Sequence, residues 1–218
     1  MSQASAEGES PLSPAAALAV LKSQQRIVSG RLGSSVWIIT GAWGVAWLLG
    51  FLAIWVMDSH FAGFELPTWL GWTIFAGLFA AAIVVSAVLG IRSGRGIRSN
   101  SANSFTGTVY GVTWAVAMLG ISVLGAGLLT HGMTAQIADL FYPSAYTLVV
   151  GILYLAAAAI WRVVQMIIAG ATLVALAVVA PFLGHPANYL AFGVVGGAMF
   201  LTLAIVGGVR IRAAVARG

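Results

Sequence analysis

The side chains in this 218-residue chain that could do chemistry are few and widely spaced. Three histidines, His60, His131 and His185, each follow the end of an apolar run, and Asp58, Glu65 and Asp139 are near them in sequence. Imidazoles and carboxylates at one depth could hold a Zn²⁺ or another divalent cation, or sense pH at that face. They are not spaced as ligands along one helix, however, and their place at the rim argues against haem ligation. Arg92, Arg95 and Arg98 stand in the sequence IRSGRGIRSNSANS, where glycines would let guanidinium and backbone N–H groups converge on a lipid phosphate. The same loop lacks the lysine of a Walker motif. Trp43 and Trp47, four residues apart, share one helix face and could line a pocket with Trp114, or simply pack between helices.

Few other chemistries are open. Zero cysteines exclude disulfides, thiolate metal sites and cysteine nucleophiles. The one lysine, Lys22, lies outside the apolar runs, so no Schiff base can form within them. No HExxH motif or pair of intramembrane carboxylates occurs, and no loop is long enough for a soluble catalytic domain. The expectation is a protein that is no enzyme and needs no cofactor.

The elements that position these residues are set by hydrophobicity. With 61% hydrophobic and 7% charged residues and a mean hydropathy of +1.02, the chain is far from the soluble norm of about 25% charged. A bilayer core of about 30 Å needs about 20 apolar residues per helix. Six runs meet or approach that length: Ser35 to Met57, Trp69 to Ile91, Thr108 to Thr130, Ser144 to Trp161, Val163 to Phe182 and Asn188 to Val209. The fold class is therefore all-α, a polytopic bundle of six transmembrane helices over 35–209.

Charge sets the expected orientation. All ten Lys and Arg residues fall on one side of this thread, at Lys22, Arg26 and Arg31, the 92–104 loop, Arg162, and Arg210, Arg212 and Arg217. Asp58, Glu65 and Asp139 occupy the opposite loops. Cytoplasmic loops carry the Lys/Arg excess, so both termini are expected in the cytoplasm. The net charge of +5 is scattered over short segments, which speaks against a nucleic-acid partner.

Residues 1–13 are expected to be a disordered tail, 14–32 an amphipathic interfacial helix on anionic headgroups, and 210–218 a basic cytoplasmic tail. Small residues should bring helices together: Gly193 and Gly197 in span six, Ala171 and Ala175 in span five, Gly41 and Gly44 in span one, and Gly120, Ser122 and Gly125 in span three. These steps suit a compact bundle or a homo-oligomer.

The sequence LAVLKSQQRIVSGRLGSSVWIITGAWGVAWLLGFLAIW, with Gln24, Gln25, Trp43, Gly44, Ala46, Trp47, Leu48 and Gly50, resembles the opening of a group of small actinobacterial membrane proteins whose first span carries a WGxAWLxG pattern. The later APFLGHPANYLAFGVVGGAMF, with Pro181 and Gly184, is similar to their C-terminal hairpin. The resemblance implies a multi-pass inner-membrane protein, sometimes labelled a transporter, and it carries over no site residues. Three functional readings follow. The first is a scaffold, anchor or regulatory component acting through 14–32 and the 92–104 loop on a cytoplasmic partner. The second is a permease-like subunit, architecturally similar to ABC-2 permeases, working with a separate ATPase. The third is a metal or pH sensor on the outer face.

Overall fold

The computed structural model describes residues 13–60, 63, 65–94 and 101–216, with side chains described outside 14–34, 94, 101–103 and 214–215. Every regular element among these residues is helical: α1 (Pro14–Ser59), α2 (Thr68–Gly94), α3 (Ser101–Thr130), α4 (Ala135–Trp161), α5 (Val164–Val179), α6 (Ala187–Ala191) and α7 (Gly197–Ala216). A 3-10 turn at Ala180–Leu183 closes α5, and a π-helical turn at Phe192–Gly196 joins α6 to α7. Among the described residues six segments are long and apolar enough to cross a membrane: Ser35–Ser59, Thr68–Ser93, Ser104–Thr130, Ala135–Trp161, Val164–Leu183 and Ala187–Ala213. Helical backbone satisfies its own N–H and C=O groups, as a bilayer interior requires.

Alternation of the spans gives the bundle a basic end, with Arg92, Arg162, Arg210 and Arg212, and an acidic end, with Asp58, Glu65 and Asp139. The helices are not equally central. α1 packs along α2 and α7, α4 packs along α5 and α3, and no substantial packing joins α2 to α3. Only 6% of the α2 span and 11% of the α3 span is buried by the rest of the chain, against 39% for α1, so α2 and α3 are two outer arms. Phe192, Leu173, Ala180 and Asn188 are fully buried where the two halves meet.

Glycine positions decide the closest approaches. A Cβ on Gly151 would stand 2.9 Å from the Gly170 carbonyl oxygen, and one on Gly170 would stand 2.8 Å from that of Gly151, so α4 and α5 cross backbone to backbone. Gly193 and Gly197 both face α1 at Leu48 and its neighbours, and Gly196 lies under the Trp47 ring. Spaced three and four apart, these glycines share one helix face toward α1. The GxxxG step expected in span six is thus an internal contact. Gly44 meets Leu201 and Gly41 meets Ala204 on α7, and Gly125 meets the Tyr142 ring. Ala171 and Ala175 differ from expectation: both are exposed, and the tight step of α5 belongs to Gly170 on a neighbouring face.

Several expected boundaries also need correction. The interfacial helix at 14–32 is helical but not separate, because α1 runs without a turn from Pro14 to Ser59. Gly30 and Gly33 each weaken a helix by about 1 kcal/mol, which is too little to break one without a proline. The expected basic tail is helical as far as Ala216, which puts Arg210 and Arg212 on α7. The expected tail at 1–13 lies outside the described residues except for Ser13. Between spans four and five, where neither Gly nor Pro marks a turn, Arg162 takes a left-handed conformation (φ 55°, ψ 43°) and Val163 is extended, so two residues reverse the chain.

Candidate functional site: an aromatic cavity with an acidic end

Where span four starts determines the site. Its helix begins at Ala135, not at Ser144, because α3 ends in a Schellman motif. Met133 N–H donates to Leu128 O (3.0 Å) and Gly132 N–H to Leu129 O (3.2 Å), with Gly132 at φ 97°. Thr134 then caps α4, its Oγ1 accepting from Ile137 N–H at 3.3 Å. Asp139, expected in an outer loop, therefore sits in the second turn of a helix. Pro143 lacks the N–H that would bond the Asp139 carbonyl, and the buried Asn188 side chain supplies a substitute, Nδ2 donating to Asp139 O at 3.0 Å. This bond ties α4 to α6 at the acidic end.

A cavity of about 650 Å³ lies behind the two outer arms. Its wall on α1 is Trp43, Trp47, Phe51 and Ile54; on α2 it is Trp72, Phe75, Phe79 and Ile83. α3 contributes Trp114 and Met118, and α4 contributes residues from Ala138 to Tyr154, a rise of about 24 Å. Tyr189 and Phe200 close the back. The three tryptophans singled out in the sequence all line this one space. Its walls are braced by edge-to-face and stacked rings, including Trp43 with Phe79 (5.8 Å), Phe75 with Phe79 (4.3 Å) and Trp47 with Phe200 (5.7 Å). The arms are pinned by hydrogen bonds at the edges. Trp43 Nε1 donates to Ser86 Oγ at 3.0 Å between α1 and α2, and Ser122 Oγ and Tyr146 OH are hydrogen-bonded at 2.5 Å between α3 and α4.

Among the described residues, Asp139 is the one charged side chain on the cavity wall. It stands beside His185, whose Nε2 is 3.0 Å from Asp58 Oδ2 and 3.7 Å from Asp139 Oδ2. Tyr189 lies against the same group, with its ring edge-to-face on His185 at 5.7 Å. Three residues far apart in sequence, at the end of α1, in α4 and before α6, thus meet at the acidic end. The imidazole is closer to Asp58, while Asp139 is also part of the cavity wall.

The three histidines do not form one site. His131 turns back on its own helix, with Nδ1 2.9 Å from Gly127 O and 3.1 Å from Thr130 Oγ1. His60 is exposed with φ 47°, and only His185 joins the carboxylates. Among the described residues no group of three or more His, Asp or Glu side chains is arranged to hold a metal ion. Arg92 is exposed on the last turn of α2, while Arg95 and Arg98 lie outside the described residues.

Sequence reasoning missed Asp139, Tyr142, Tyr189 and the phenylalanines of α2 as members of one site. Gly132 and Thr134 were the available signal for α4, being a helix stop three residues and a helix start one residue before Ala135. No family model matches the chain, and no curated protein or solved structure matches it.

Proposed function

We propose that this is a multi-pass protein of a bacterial cytoplasmic membrane that takes an apolar or amphiphilic small molecule from the bilayer into its helix bundle, as a permease-like binding subunit. The observation that carries this reading is the cavity of about 650 Å³, walled by aromatic rings and set beside two arms that do not pack on each other. A space of that size suits a drug-sized or lipid-like molecule. Entry between α2 and α3 would need no aqueous path and no charge in the middle of a span. The distribution of Lys and Arg supports an arrangement with the basic end in the cytoplasm, the acidic mouth outside and both termini inside. A partner ATPase would supply energy to such a subunit.

The test is a titration of protein in lipid nanodiscs with N-phenyl-1-naphthylamine, a neutral apolar probe, read by energy transfer from tryptophan. Trp43, Trp47, Trp72 and Trp114 border the cavity, so one bound probe would be within reach of four donors. The expected result is saturable transfer at one site per chain. Transfer that only follows the lipid content, without saturation, would remove this reading.

The scaffold reading keeps one supporting observation. α1 extends beyond its span through residues 14–34 as a continuous helix, which would give a partner a rigid handle at the basic end. Deleting 1–32 would abolish partner recruitment on that reading and leave probe binding intact.

A further inference from the structure

The geometry points to a lipophilic cation as the ligand of the cavity, its charge at Asp139 and its apolar body among the tryptophans and phenylalanines; this rests on the cavity being a binding site. Charge complementarity is the main argument. Among the described residues Asp139 is the only charged one on the wall, and Arg92, Arg162, Arg210 and Arg212 are all at the basic end. Among the described residues, the imidazole of His185 is the basic group within 4 Å of the Asp139 carboxylate. It is shared with Asp58, which lies closer, at 3.0 Å against 3.7 Å. Two carboxylates thus share one imidazole, so in this cluster acidic groups outnumber basic ones. An anion placed there would meet that acidic excess without a partner.

The walls add a second, independent preference. Ring faces carry negative potential, and indoles attract cations most strongly, more so where water is excluded. Four tryptophans border the cavity, and Trp72 and Tyr142 are among the aromatic residues toward its acidic end. A neutral apolar molecule would gain the burial but not the attraction. A small hydrated cation would lose its water for a wall with one carboxylate. A cation whose charge is spread over or shielded by apolar groups satisfies both parts of the surface.

Tetraphenylphosphonium, its neutral analogue tetraphenylsilane and the anion tetraphenylborate have the same shape and differ in charge. Binding of each would be measured by equilibrium dialysis to nanodiscs holding wild type, Asp139→Asn and Asp139→Glu, with empty discs subtracted. Wild type should bind the phosphonium saturably and at least about tenfold more tightly than the silane, with no saturable borate site. D139N should lose that preference, and D139E should keep it. If the silane binds saturably and the phosphonium is bound no better, or D139N leaves the preference unchanged, the inference fails while the cavity reading stands. If no probe binds saturably, both fall. Should D139N not fold, the wild-type order of the three probes decides, and a preference for borate overturns the inference.

Discussion

Replacing Gly170 with alanine should destabilise the bundle by separating α4 from α5. The new Cβ would lie 2.8 Å from Gly151 O, 2.9 Å from Leu155 N and 2.7 Å from Leu155 Cγ. Two of these neighbours are backbone atoms and cannot rotate away. Ordinary contact begins at 3.4 Å, so the helices must part by 3.4 − 2.8 = 0.6 Å at the crossing. Overpacking of this kind costs about 1–3 kcal/mol. Alanine is also a better helix former than glycine by about 1 kcal/mol, and that gain must be measured separately. Gly77 on α2 provides the control, because a Cβ there meets nothing within 4 Å. In one detergent, thermal or denaturant unfolding should place G170A about 1–3 kcal/mol below G77A. Equal stability of the two variants would refute the backbone-to-backbone crossing.

Other substitutions probe the remaining contacts. Arg162→Gly should raise stability by about 1 kcal/mol in the same unfolding assay, since φ 55° is strained for any residue with a Cβ, whereas Arg162→Val should lower it. Ser86→Ala should cost about 1 kcal/mol by leaving the Trp43 indole N–H unpaired, and should change the tryptophan emission of the folded protein. Asp58→Asn should cost at most about 1 kcal/mol, because its pair with His185 is partly exposed, and the loss should shrink further at high salt.

The spans were legible because a bilayer imposes a length and an apolar composition that few other folds share, and the ten basic residues mark their alternation. Helix ends were less so. The start of α4 was misplaced because Asp139, Tyr142 and Pro143 read as loop residues, although in the fold the Pro143 defect is repaired by Asn188, about 45 residues downstream in a helix that α4 could not announce. Small residues showed which helices approach closely but not along which face: Gly193 and Gly197 pack on α1, while Ala171 and Ala175 face outward. The spacing of Trp43 and Trp47 indicated a shared face, yet the carboxylate that completes the cavity comes from another helix. Convergence of Asp58, Asp139 and His185 depends on tertiary packing and has no local signature.

Placing the binding site inside the cavity is the direct test of the whole account. The emission of directly excited N-phenyl-1-naphthylamine would be followed in nanodiscs holding wild type, Val150→Trp, which puts an indole in place of a small aliphatic group on the cavity wall, or Val116→Trp, which puts the same ring on an exposed position of α3. V150W should weaken the saturable component at least about tenfold, and V116W should leave it as in wild type. Equal binding by all three proteins would contradict a site between the arms.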